Sequence, residues 1–238
     1  MKNLENLSIR IFADGADRTG MLQMYARPHI GGLTTNPTLM RKAGIRDYRA
    51  FCREVLQTIT DKPLSIEVCS DDFAEMERQA CEIAGWGDNV YVKIPVTDTR
   101  GQSSQDLVRR LCARRIKVNV TAVMTLAQVQ QVVSALAPDV PSFVSVFAGR
   151  IADTGRDPVP LMSSALALLQ ANPLAELIWA SPREVLNIFQ AAAMGCHAIT
   201  VTHDILNRLE RVGYDLDEYS LETVRMFHDD ALAAGYHL

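Results

Sequence analysis

The segment VYVKIPV, residues Val90–Val96, is apolar and β-branched around a single lysine, and its first five residues, Val90–Ile94, read as a short strand. Seven more segments of the same kind follow or precede it: Ile9–Ala13, Gly32–Thr35, Leu64–Val68, Lys117–Thr121, Phe143–Phe147, Glu176–Ala180 and Ala198–Val201. Between them apolar residues recur at three- and four-residue spacing, as in Phe73, Met76, Ala80, Ile83 and Ala84, or Leu107, Val108 and Leu111, the signature of amphipathic helices packed on a sheet. The strands start roughly 22 to 33 residues apart, the length of one strand, one helix and two short loops. Eight such units predict an α/β chain folded as a single closed (β/α)8 barrel over residues 1–238. A doubly wound open sheet would usually show a glycine-rich phosphate loop after its first strand, and ADGAD at Ala13–Asp17 is not one. Residues 215–235 carry further helical spacing (Leu221, Val224, Phe227, Ala231) after the eighth unit ends, which predicts an extra C-terminal helix.

Composition narrows the partners. Hydrophobic residues are 48% and charged residues 22% of the chain, an ordinary balance for a globular protein with a sizeable core. A formal net charge of −4 argues against nucleic-acid binding through a basic surface. Five cysteines at scattered spacings, without a CxxC pair, fit neither a disulfide framework nor a metal site and suggest reduced thiols. The opening MKNLENLSIRIF lacks a long apolar core and no run of about 18 apolar residues occurs, so a cytoplasmic protein that does not enter membranes is expected.

In a barrel of this kind catalysis sits at the carboxyl ends of the strands, and the polar residues predicted there form a short set. Strand one ends at Asp14, strand two runs into Thr34, Thr35 and Asn36, strand three holds Glu67 and strand four Lys93. Strand five carries Asn119 and Thr121, which share a face because side chains alternate with a period of two. Strand six gives Ser145 followed by Arg150, and strand seven ends at Ser181 and Arg183. Apolar flanks on Lys93 penalise its ammonium form and favour an amine able to attack a carbonyl. The alternative is a lysine that snorkels to solvent. A carboxylate inside an apolar strand, such as Glu67, needs a partner or a task; a simple ion pair with Lys93 would satisfy it. Arginine suits phosphate oxygens through its planar fork, although either Arg150 or Arg183 alone reads equally well as a surface ion pair among 19 arginines.

Taken together, these segments resemble the transaldolase family from the first strand to the eighth. GLTTNPT at Gly32–Thr38 is the most specific motif, and VYVKIPVT at Val90–Thr97 looks like its Schiff-base lysine segment. SIEV at Ser65–Val68, VNVTAV at Val118–Val123, SVFAGRI at Ser145–Ile151 and ASPR at Ala180–Arg183 fall in the family's order. The resemblance implies transfer of a dihydroxyacetone unit between sugar phosphates, as in the pentose phosphate pathway, with neither metal nor organic cofactor, by a homo-oligomer. It implies catalysis by Lys93, Glu67, Thr121 and Asp14, with Thr35, Asn36, Asn119, Ser145 and Phe147 around the donor and Arg150, Ser181 and Arg183 on its phosphate.

Two groups share this set, transaldolases and fructose-6-phosphate aldolases that release free dihydroxyacetone. The aldolase type carries Gln at the position of Glu67 and Tyr at that of Phe147, so this chain resembles the transaldolases at both. Pro182 stands where the family usually has an aromatic residue; a proline fixes φ and removes a donor, which predicts a reshaped anion loop and keeps a sulfonated sugar open as an alternative substrate. A non-catalytic sugar-binding module has no need of the Lys93 set. A deoxyribose-phosphate-type aldolase would pair its lysine with a second one, and Lys117 stands at the wrong end of its strand.

Overall fold

The computed structural model describes residues 7–236; residues 1–6 and 237–238 of the expected domain lie outside them. Eight parallel strands close on themselves in sequence order: β1 Arg10–Asp14, β2 Ile30–Thr34, β3 Leu64–Glu67, β4 Val90–Pro95, β5 Val118–Val123, β6 Ser142–Val146, β7 Ala175–Trp179 and β8 Ala198–Thr202. Around them run α1 Arg18–Tyr25, α2 Pro37–Lys42, α3 Tyr48–Leu56, α4 Phe73–Ala84, α5 Gln105–Ala113 and α6 Leu126–Val133. The circuit finishes with α7 Ala148–Ala152, α8 Val159–Leu169, α9 Leu186–Ala193, α10 His203–Asn207 and α11 Leu216–Ala233. The chain is a (β/α)8 barrel with an added C-terminal helix. The largest shifts from the expected strands are at β2, which starts at Ile30 and stops at Thr34, and at β5, which runs from Val118 to Val123.

Two cores result from the alternation of strand side chains. The outward faces, with Val92, Ile94, Val118 and Val120, pack on helix residues such as Met76, Ala80 and Leu111. Inside the barrel Phe12, Phe143, Ile178 and Ala198 form a separate apolar plug with Tyr91 against it. Phe12 meets Phe143 edge to face at 5.5 Å, and Tyr91 stacks on Phe143 at 4.2 Å. Gly32 makes room for this plug, since a Cβ there would sit 2.8 Å from the Phe12 ring. The plug fills the amino-terminal half and leaves the carboxyl-terminal half to polar side chains.

Register lines these up. Glu67 pairs with Lys93 and Lys93 with Asn119 across β3, β4 and β5, while Asp14 pairs with Thr34 on β2 and Thr202 on β8. The β5–β6 ladder shifts between Val120 and Val123, where Ala122 has φ +61°; such a bulge re-aims the strand end.

Beyond the barrel, α11 buries none of its residues. It begins under an Asp215 cap that accepts from the Asp217 and Glu218 amides at 2.9 and 3.0 Å. Its apolar row is not packed into its own barrel.

The rim between β6 and β7 is closed by a backbone contact. Ser181 has φ +60°, immediately before Pro182, and this turns its carbonyl toward Gly149, where any Cβ would overlap the carbonyl oxygen. Only glycine admits that approach. Gly149→Ala is expected to lose about 1–3 kcal/mol of stability or more by overpacking, read as a fall in Tm; an unchanged Tm would contradict the contact.

Candidate active site

A cavity of about 510 Å³ opens at the carboxyl ends of the strands. Asp14, Asn36, Glu67, Lys93, Asn119, Thr121, Ser145, Phe147, Arg150, Ser181 and Arg183 all line it. Thr35 does not. The hydroxyl facing the cavity is that of Thr34, which the two-residue alternation puts on the interior face of β2 together with Gly32. Thr35 Oγ1 is buried without a partner among the described residues.

Lys93 is buried, and its Nζ lies 3.2 Å from Glu67 Oε2 and donates to the Thr35 carbonyl at 2.9 Å. Its surroundings are therefore polar, contrary to the reading of its apolar flanks: Val92 and Ile94 point to the opposite face of β4 and into the helix-side core. Lys93 does not snorkel out to bulk solvent: its side chain is 8% exposed, on the cavity wall. Lys117, by contrast, stands at the other end of the barrel, donating to the Asp88 carbonyl and lying 5.6 Å over the Tyr91 ring.

Asp14 accepts a 2.7 Å hydrogen bond from Thr34 Oγ1, which also pairs with Thr200 Oγ1 at 2.5 Å. The residue keeps some exposure on the cavity wall, yet its carboxyl is enclosed. Burial pushes the Asp14 carboxyl above its ordinary value and the Glu67 charge adds to this, against the opposing pull of Lys93, the Thr34 hydroxyl and His203.

On the β5 side Asn119 donates from Nδ2 to Ser65 Oγ at 3.0 Å and accepts from Ser145 Oγ at 2.7 Å. This chain fixes the amide orientation and ties β3, β5 and β6 together. Thr121 Oγ1 is buried without a partner among the described residues. Asn36 is the N-cap of α2, its Oδ1 accepting from the Leu39 amide at 2.9 Å ahead of Pro37 at the first helical turn. Part of the TTNP motif is thus helix-capping chemistry, and it leaves the Asn36 amide nitrogen free of the cap.

The arginine end is more constrained than its sequence suggests. Arg183 Nε donates to Asp153 Oδ1 at 2.9 Å and Nη2 to Oδ2, both side chains about half exposed. That two-point pair occupies one edge of the guanidinium and leaves Nη1 and one Nη2 proton for another acceptor. Asp153 is held below the usual carboxylate range chiefly by this hydrogen bond. Arg150 lies 5.6 Å over the Phe147 ring. After Pro182, the Arg183 and Glu184 amides both donate to Asn187 Oδ1, at 2.7 and 3.2 Å.

Sequence reasoning did not single out Ser65, Thr200, Gly149 or Asp153 as site residues. Position in register could have found Ser65 and Thr200, which sit on interior-facing strand positions. Asp153 is a helix-end residue with no periodic signal.

A closed parallel barrel with a polar cavity at the carboxyl ends of its strands is the architecture of a barrel enzyme. Residues 11–237 match the family model described as Transaldolase/Fructose-6-phosphate aldolase. A "Probable transaldolase" of Thermoanaerobacter sp. strain X514 is 32% identical over 228 residues, 95% of this chain and 99% of that protein. "Probable transaldolase" proteins of Dehalococcoides mccartyi and Methanococcus maripaludis strain C7 are 32% and 33% identical over 202 residues each, 84% of this chain and 90% and 89% of theirs. The chain belongs to the transaldolase/fructose-6-phosphate aldolase family. Two solved structures share the fold at low identity. A dihydrodipicolinate synthase family protein of Coccidioides immitis has a TM-score of 0.59 and 10% identity, with 82% of this chain and 67% of that one covered. A protein described as a phosphonomutase, of Burkholderia cenocepacia, has 0.54 and 15%, covering 96% and 97%. Among the described residues no helix is long and apolar enough to cross a membrane.

The raised Asp14 value has a signed consequence for stability. Below the ordinary carboxylate range the group is protonated in both folded and unfolded chains; between the ordinary and the raised value the unfolded chain ionises while the buried native carboxyl keeps its proton, so stability is lost as pH rises to the folded value and no further above it. Asn mimics the protonated form. Asp14→Asn is therefore expected to raise Tm, by an increment that grows with pH from the ordinary value up to the raised one and then levels off. A pH-independent or inverted increment in melting curves would refute the burial account.

Proposed function

We propose that this protein transfers a dihydroxyacetone unit from a ketose phosphate, fructose 6-phosphate or sedoheptulose 7-phosphate, to an aldose phosphate through an imine on Lys93. The observation that carries the proposal is the buried Lys93 Nζ beside the Glu67 carboxylate at 3.2 Å, inside a cavity whose wall also presents Asp14, Arg150 and Arg183. A binding module would gain nothing from enclosing an amine beside a carboxylate.

In this reading the neutral Lys93 amine attacks the ketose carbonyl, and the carbinolamine loses water to give an iminium. Glu67 moves the protons through a water shared with the Thr121 hydroxyl, which has no protein partner among the described residues. The Asp14 carboxylate takes the C4 hydroxyl proton; the C3–C4 electron pair passes into the iminium, an aldose phosphate leaves and an enamine remains on Lys93. A raised Asp14 makes a stronger base for that step. The acceptor aldehyde is then attacked by the enamine carbon, Asp14 returns the proton, and hydrolysis of the imine frees the new ketose.

Asn36, Asn119 and Ser145 hold the donor's hydroxyls, the last two already oriented by their mutual bond, and Thr35 contributes its carbonyl to Lys93. Arg150, Ser181 and the free edge of Arg183 take the phosphate. Phe147 offers no hydroxyl to order a water that would hydrolyse the enamine. The proposal treats residues 1–238 as one barrel domain in a cytoplasmic homo-oligomer. Its association surface is α11, where Leu216, Val224, Phe227 and Leu232 are 80%, 59%, 63% and 62% exposed.

The test is the fate of the enamine. Fructose 6-phosphate with erythrose 4-phosphate should yield sedoheptulose 7-phosphate at least about ten-fold faster than fructose 6-phosphate alone yields dihydroxyacetone, a barrier difference of ~1.4 kcal/mol. Glu67→Gln combined with Phe147→Tyr should move that ratio toward free dihydroxyacetone. Equal rates of release and transfer in the unmodified enzyme would establish the aldolase activity instead.

A further inference from the structure

Glu67 is the last residue of β3, and its main chain is supported differently on its two sides. Toward β4 the ladder continues, with the Val68 amide donating to the Lys93 carbonyl at 3.1 Å. Toward β2 it stops. The Leu33 amide donates to the Pro63 carbonyl at 2.8 Å and the Thr35 amide to the Ser65 carbonyl at 3.2 Å. The next rung of a parallel ladder would run from the Glu67 amide to the Thr35 carbonyl. That carbonyl accepts from Lys93 Nζ instead, and the chain leaves the sheet at Asn36 to begin α2.

The Tyr48 hydroxyl fills the gap. It accepts from the Glu67 amide at 3.1 Å and donates to the Glu67 carbonyl at 2.6 Å, so one phenol satisfies both main-chain groups of the residue. Tyr48 is the first residue of α3, and the Asp47 cap, which accepts from the Ala50 amide at 2.9 Å, sets where that helix and the ring begin. Burial drives the Tyr48 phenol far above its ordinary value, which keeps its proton available for donation. The pair also borders an open surface cleft of about 500 Å³ lined by Tyr48, Glu67, Cys69 and Trp86 among others.

We infer that Tyr48 is a positioning residue: by bridging the main-chain amide and carbonyl of Glu67, it replaces the missing β2 rung and holds the Glu67 carboxylate against Lys93. The inference rests on the proposed role of Glu67 as proton shuttle. Rotation of an unsupported Glu67 peptide would swing its Cα–Cβ bond and lengthen the 3.2 Å contact. A misplacement of ~1 Å at a reacting group lowers a rate by up to about a hundred-fold. The phosphate contacts, which lie after β6 and β7, should not feel it.

The experiment is a double-mutant cycle on the transferase reaction. Tyr48→Phe should lower kcat by about ten-fold or more while KM for fructose 6-phosphate stays within about three-fold, at a temperature where the variant is folded. In a Glu67→Gln enzyme, already slowed, adding Tyr48→Phe should lower kcat by less than about two-fold further. A full, multiplicative loss in that background, or a Tyr48→Phe enzyme as fast as the unmodified one, overturns the inference. A Glu67→Gln enzyme as fast as the unmodified one overturns the shuttle role itself, a result distinguishable from the other two. Should Tyr48→Phe fail to fold, Tyr48→Met, which fills the ring's space without a hydroxyl, enters the same cycle under the same criteria.

Discussion

Lys93 Nζ, set between the Glu67 carboxylate and the Thr35 carbonyl, imposes terms on everything around it. An amino group removed from water needs polar partners close by; one comes from the neighbouring strand β3 and the other from the end of β2, one strand further round. Glu67 comes from β3 by register. The acceptor is a main-chain carbonyl that β2 would otherwise have spent on its own ladder. The sheet thus gives up a rung to hold the lysine, and the loss passes to Glu67, whose main chain is completed by a side chain from α3. Ladder, lysine and tyrosine form one connected arrangement.

The rest of the rim shows the same exchange of regularity for position. Ala122 and Ser181 both adopt positive φ at the edge of the cavity, a conformation that non-glycine residues hold only where the surroundings enforce it. At Ser181 the enforcement is visible, since its carbonyl lies in the space left by the absent side chain of Gly149. Below the rim the Phe12–Phe143–Tyr91 plug gives the polar upper layer a rigid apolar floor. The arginine end is organised separately, with Asp153 holding one edge of Arg183 and orienting what is left of it.

Much of this was legible in the residues. Strand cores such as Ile66, Val92, Val120 and Val144 are β-branched and buried, so eight strands could be read from their own composition, and the two-residue alternation correctly put Asn119 and Thr121 on one face. The same alternation undid the reading of Lys93, whose sequence neighbours face away from it. Consecutive threonines at Thr34 and Thr35 could not be told apart without the phase of β2, which is fixed by Gly32 lying against Phe12 inside the barrel. Tyr48 was invisible for a different reason: its partners are main-chain atoms of Glu67, and main-chain groups leave no trace in a sequence. Asp153 and Arg183 lie 30 positions apart on separate βα units, a pairing that no local pattern records.

In the proposed reaction Lys93 Nζ is the atom to which the substrate becomes bonded. That assignment is tested most directly by incubating the protein with fructose 6-phosphate and sodium borohydride, digesting it and weighing the peptides. The account predicts that the peptide containing Lys93, alone among those with a lysine, gains the mass of a reduced dihydroxyacetone or hexose phosphate adduct and that activity is lost in proportion. Label on another lysine, or an active enzyme that borohydride leaves unmarked, would contradict it.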